Sequence, residues 1–146
     1  MSKNMQIAEQ LTRTVSTRDA VAAAQLYSED AIYMLPGEQE PLRGRKAIEG
    51  SYATFFRAFP DFNIELTFGM VSGEHYAGEG VFRGTHTGPL ASPQGDVAPT
   101  GRKIEVKCAF FLSITPDGLV AEDRSYFDSG VMMSQLGLTE QPDKLS

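Results

Sequence analysis

Apolar residues recur along this chain with two periods, first helical and then strand-like. Over residues 4–16 (NMQIAEQLTRTVS), Ile7, Leu11 and Val15 recur every four positions, the stripe of an amphipathic helix, with Asn4 placed to cap its start. After a break at Thr17-Arg18-Asp19, a second helix puts Ala20, Ala24 and Tyr27 on one face and ends at Ser28-Glu29-Asp30. Ala31–Met34 is short and β-prone, and the segment from Leu35 to Arg43, holding Pro36, Gly37 and Pro41, reads as a loop. Residues 45–59 form the clearest helix, with Ile48, Tyr52, Phe55, Phe56 and Phe59 along one side and Pro60-Asp61 as its stop. Such an aromatic stripe serves either as core or as the wall of a cavity for a flat apolar ligand.

The period then changes to two. Phe62, Ile64, Leu66, Phe68 and Met70 alternate with polar or small residues, which predicts a half-buried strand with all five on one face. Tyr76–His86 is a second strand, whose Gly78, Gly80 and Gly84 suit a bulged, bent sheet or a close approach by a ligand. Residues 87–101 are loop by composition, and Ile104 to Ile114 alternate again. After the Pro116-Asp117-Gly118 turn comes a last strand, Leu119–Asp128, and then a short closing helix over Val131–Leu136. Helices followed by long antiparallel strands predict an α+β fold with a sheet curled over helices. The 146 residues make one domain, 1–146, with a structured core over about 5–137 and a polar tail.

Composition narrows the partners. A net charge of −6 argues against binding nucleic acid through phosphate neutralisation. No apolar run approaches the roughly 20 residues needed to span a bilayer, and the N-terminus lacks a signal-peptide core, so no membrane partner and a cytoplasmic location are expected. One cysteine, Cys108, and two histidines, His75 and His86, leave little for a metal site; no metal and no cofactor are expected.

The last strand carries the candidate chemistry. Its period places Leu119, Ala121, Asp123, Ser125 and Phe127 on one face and Val120, Glu122, Arg124, Tyr126 and Asp128 on the other. Asp123 thus sits among apolar neighbours, where desolvation would raise its pKa and make it a base near neutrality. The plain alternative is a solvated Asp123 paired with Arg83, Arg102 or Arg124. His86 shares the Gly80–Phe82–Gly84 face, where the glycines leave space before its ring; it is expected either in the pocket as acid or oxyanion partner, or tied to loop 87–101. Asp128 is expected to cap the closing helix, and Cys108 to be inert core.

These residues also carry a resemblance. The order helix, helix, strand, loop, then Gly44 leading into a helix and Phe59-Pro60-Asp61 before the strands, is similar to the cone-shaped nuclear-transport-factor-2-like fold. Gly84-Thr85-His86-Thr87-Gly88, Pro99-Thr100-Gly101-Arg102, Asp117–Glu122, Tyr126-Phe127-Asp128 and Gln135-Leu136-Gly137 resemble the SnoaL-like polyketide cyclases within it, over about Met5 to Gly137. The resemblance implies a curved sheet around a deep hydrophobic pocket, a homodimer, and cofactor-free aldol chemistry led by an acid on the last strand. Where cyclases often carry a histidine followed two residues later by an acid, this chain has Asp123 and Ser125.

The expectation that follows is acid/base chemistry on a small apolar or aromatic carbonyl ligand. Asp123 and His86 would be catalytic, and Tyr33, Tyr52, Phe56, Phe82, Phe110 and Tyr126 would bind the substrate. Two rivals stand beside it: a hydratase or epoxide-opening enzyme, which needs several acids around a water, and a non-catalytic binding or dimerisation module.

Overall fold

The protein is described by a computed structural model covering residues 2–92 and 94–138. The expected polar tail beyond Thr139 lies outside the described residues.

Helix α1 (Lys3–Val15) is capped by Ser2, whose Oγ accepts from the Met5 amide, so the expected cap Asn4 is displaced. Asn4 instead donates its side-chain amide to the Gly73 carbonyl, tying the helix start to the turn between the third and fourth strands. Helix α2 (Ala20–Ala24), capped by Asp19, is shorter than its alanine pattern suggests. Tyr27 does not join it. The chain extends from there into β1 (Tyr27–Met34), because Tyr27 pairs beside Val120 and is completely buried. Short β2 (Leu42–Arg43) leads through Gly44, at φ 89°, into α3 (Arg45–Ala58). Four strands then follow: β3 (Asn63–Ser72), β4 (His75–Thr85), β5 (Lys103–Ile114) and β6 (Val120–Phe127). Helix α4 (Ser129–Gln135) closes the described chain, and Asp128 caps it by accepting from the Gly130 and Val131 amides, as expected.

All six strands form one sheet in the order β2-β1-β6-β5-β4-β3. β1 and β2 pair antiparallel, as do consecutive strands from β3 to β6, whereas β1 lies parallel to β6 and so brings the first and last long strands together. α1 packs on β3, and α3 on β1 and α2, over the inner face. Among the described residues, no helix is long and apolar enough to cross a membrane.

Irregularities in the sheet decide which side chains reach the inner face. Between Leu66 and Phe68 the register of β3 against β4 slips by one residue at Thr67. Such a bulge reverses the facing of everything beyond it. Ile64 and Leu66 therefore stay half-buried, while Phe68 and Met70, expected on the same face, are 54% and 55% exposed. Gly80 accommodates the bulge: a Cβ there would come within 2.6 Å of the Glu65 carbonyl oxygen. A second slip between Ser113 and Ile114 turns Val120 inward ahead of Asp123, Ser125 and Phe127.

Candidate functional site

Parallel pairing sets Tyr33 of β1 beside Asp123 of β6, and antiparallel pairing sets Leu112 of β5 on its other side. The Asp123 side chain is 3% exposed and points to the inner face, as the strand period predicts. Two hydroxyls hold it. Tyr27 Oη donates to Oδ2 at 2.7 Å and Ser125 Oγ donates to Oδ1 at 2.8 Å. Beyond them, the Tyr52 hydroxyl on α3 lies 2.7 Å from that of Tyr27. The rings of Tyr27, Tyr33 and Tyr52 gather at centroid separations of 5.8–6.3 Å. Arg45 Nε, at the start of α3, donates to the Tyr27 carbonyl at 2.8 Å and fixes the backbone that carries this cluster.

Electrostatics follow from burial. Desolvation pushes the Asp123 carboxyl up to about 6, partly opposed by the hydrogen bonds from Tyr27 and Ser125, which favour its charged form. Desolvation is also the leading cause that raises the three phenols above their ordinary range, with the Asp123 charge adding to each. They remain protonated wherever the protein is folded near neutrality. Among the described residues no lysine or arginine pairs with Asp123: Arg83 bridges Glu65 and Glu105, and Arg124 lies 3.5 Å from Glu122.

Asp123 lines a cavity of about 100 Å³ between α1, α3 and the sheet and is its one carboxyl among the described residues. Its wall is largely aromatic, from Tyr33, Tyr52, Phe56, Phe82 and Phe110 of the expected binding set, joined by Phe55, Phe62 and Phe127. Phe62 stacks on Phe82 at 5.5 Å and Phe127 meets it edge-on at 5.1 Å. A cavity of ~150 Å³ lined by such groups takes up benzene, so this space suits a fragment of one small ring. Cys108 also lines it, and burial pushes its thiol up to about 11, which leaves it an inert wall atom rather than a nucleophile.

Two expected site residues lie elsewhere. His86 is completely buried but does not line the cavity. The space expected before its strand face is taken: Gly80 abuts the Glu65 backbone, and a Cβ at Gly84 would come within 2.9 Å of Phe59. The imidazole packs against Phe59 at 5.5 Å, and its Nδ1 accepts from the Thr100 amide at 3.1 Å, with Thr100 Oγ1 at 2.9 Å. It is a fastener for loop 87–101, and burial lowers its pKa, keeping it neutral. Tyr126 is 52% exposed on the outer face, because it alternates with the inward Ser125 and Phe127.

Sequence reasoning missed Tyr27, which its spacing from Ala20 and Ala24 assigned to a helix. Ser125 is legible as a same-face neighbour of Asp123, although strand period alone does not show that its hydroxyl donates to the carboxylate. Among the described residues, no three His, Cys, Asp or Glu side chains gather to hold a metal ion.

The fold recurs in known proteins. No curated protein matches the sequence. A protein from Jannaschia sp. CCS1, described as a SnoaL-like polyketide cyclase, superposes with a TM-score of 0.81 at 17% identity, covering 94% of both chains. IdmH of Streptomyces antibioticus, described as a polyketide cyclase, gives a TM-score of 0.76 at 26% identity, covering 93% of this chain and 99% of its own. The epoxide hydrolase/cyclase-like enzyme SalBIII of salinomycin pyran-ring formation gives 0.72 at 18%, covering 88% and 92%. The fold is the nuclear-transport-factor-2-like cone. The family model for SnoaL-like polyketide cyclases matches residues 5–136, and to that family the chain belongs.

Proposed function

We propose that this protein abstracts a proton α to the carbonyl of a small, mostly apolar compound, with Asp123 as general base, in the service of ring closure or isomerisation. The observation that carries this reading is a buried carboxyl with hydroxyl partners only, in the wall of a largely aromatic cavity. Each oxygen of Asp123 accepts one hydroxyl and keeps a second lone pair for a substrate proton. A pKa of about 6 leaves the base ionised at neutral pH yet strong enough to take a carbon-bound proton. His86, outside the cavity lining, has no role in this scheme. Family membership and the cyclase descriptions of IdmH and the Jannaschia protein support the same class of chemistry.

Deuterium exchange α to the carbonyl of cyclopentanone tests it directly. The wild type is expected to catalyse exchange and Asp123→Asn to lose it by at least a hundredfold. Equal exchange by both proteins would sink the assignment. The epoxide-opening alternative is less well served, since Asp123 is the one carboxyl lining the cavity among the described residues. A pure binding module gives no reason for a buried acid without a cationic partner.

We also infer that a second copy of the chain covers the outer sheet face. Phe68, Met70, Phe111 and Tyr126 are 40–55% exposed there, a concentration of apolar surface unusual on a monomer. Exposed Glu79 and Lys107 flank the same surface, so a twofold arrangement could pair each with its opposite.

A further inference from the structure

The hydroxyls around Asp123 form a chain with a direction. Tyr27 has a single hydroxyl hydrogen, and it is given to Oδ2 of Asp123. In the 2.7 Å contact between Tyr27 and Tyr52, Tyr52 must then be the donor. Ser125 likewise spends its hydrogen on Oδ1. While Asp123 is ionised, the hydrogens of Tyr52, Tyr27 and Ser125 thus point toward the carboxylate. Tyr52 lines the cavity, and with its hydrogen given to Tyr27 its oxygen has only lone pairs left to offer, to the neighbouring Tyr33 hydroxyl or to a ligand. A carbonyl oxygen entering this site meets an acceptor where it needs a donor.

Resting on the reading of Asp123 as the base, we infer that proton transfer to Asp123 reverses the Asp123–Tyr27–Tyr52 chain and turns Tyr52 from an acceptor into a donor toward the substrate oxygen. The α C–H bond breaks, its proton forms the Asp123 O–H bond, and its electron pair becomes the enolate. Three hydroxyls then rotate and none is cleaved: Asp123 donates to Tyr27 Oη, Tyr27 to Tyr52 Oη, and Tyr52 to the enolate oxygen. The donor for the developing negative charge is created by the same event that creates the charge. Stabilisation that appears only along the reaction lowers the barrier without tightening the substrate complex.

The groups facing Asp123 leave this chain the main responder to its charge. From β1 come Tyr27 and Tyr33, from α3 Tyr52 with Arg45 on the Tyr27 carbonyl, and from β5 Cys108. The α1 residues of the cavity wall, Leu11, Thr12 and Val15, carry no charge. The phenols and the thiol all titrate far above neutrality, so between pH 4 and 8 the carboxyl alone changes state here.

Infrared spectroscopy of bound cyclopentanone, labelled with carbon-13 at its carbonyl, reads the chain without ambiguity from charge repulsion, because the probe is neutral. In the wild type the carbonyl band is expected to move to lower wavenumber, and the ketone to bind about fivefold tighter, as pH falls through the titration of Asp123. Tyr27→Phe cuts the chain and frees the Tyr52 hydrogen, so the band should sit at the lower position at every pH. Tyr52→Phe should hold it at the higher position at every pH. A shift that persists in Tyr52→Phe would overturn the inference and assign the donor to Asp123 itself, and its loss in Tyr33→Phe alone would assign it to Tyr33. A bound ketone whose band ignores pH in the wild type would overturn the reversal and leave the carbonyl reading standing. Failure of the ketone to enter the cavity at either pH would overturn both. Each Tyr→Phe change removes one oxygen, and circular dichroism checks that the fold survives.

Discussion

The Tyr27 hydroxyl donates to Oδ2 of Asp123 at 2.7 Å across the parallel pairing of β1 and β6, joining residues 96 positions apart in the chain. This bond favours the charged carboxylate, whereas burial favours the neutral acid, and burial prevails. Proton abstraction should therefore rise with pH as Asp123 ionises, reach its midpoint near 6 and level off above 7. In Tyr27→Phe one stabiliser of the charge is lost, and the midpoint should move up by about one pH unit. A pH–rate profile of α-proton exchange measures both.

Stability carries the same signature. A carboxyl raised from 3.8 to about 6 binds its proton more tightly in the folded chain than in the unfolded one. The stability linked to it is therefore fully present below pH 4 and is lost as pH rises through 6. The loss amounts to about 3 kcal/mol. Asp123→Asn, which cannot ionise, should lack this dependence. The difference in unfolding free energy between wild type and variant, from urea titrations at pH 4 and pH 7.5, should change by about that amount in favour of the variant at the higher pH.

His86→Ala should act on stability and leave the chemistry alone. It removes a buried ring from Phe59 and deprives the Thr100 amide of its acceptor. The expected cost is about 2–4 kcal/mol, with faster amide hydrogen exchange in loop 87–101. The Asp123 carbon chemical shift, followed against pH, should titrate as in the wild type.

The outer face makes a prediction about assembly. Phe111 and Tyr126 meet edge to face at 6.1 Å, and Arg124 lies over the Phe111 ring at 5.7 Å. If a second copy covers them, Tyr126→Glu should shift the protein from dimer to monomer in sedimentation experiments. A wild type that sediments as a monomer at all concentrations would rule that assembly out.

Most of the architecture was legible in local pattern. The aromatic stripe of α3, the alternation of β5 and the inward position of Asp123 each depend on a period that the sequence displays without interruption. What escaped depends on contacts distant in the chain. Tyr27 looked helical because its spacing from Ala20 and Ala24 allows it, and only pairing with β6 draws it into a strand. Gly80 and Gly84 predict room before the His86 ring, yet Glu65 and Phe59 fill that room from neighbouring elements. Phe68 and Met70 kept a faultless alternation with Leu66 that one unpaired residue, Thr67, reverses.

That unpaired residue gives β3 a division of labour. Its first half serves the interior through Ile64, and its second half serves the outside through Phe68 and Met70. Taking Thr67 into the ladder opposite Glu79 would bring the whole strand into step and drive two large side chains toward ground that the buried Tyr76 ring already holds beside Gly69. The exterior half can vary without disturbing the interior half as long as Phe68 keeps Glu79 as its partner, which makes the bulge a natural boundary for recombining the two halves.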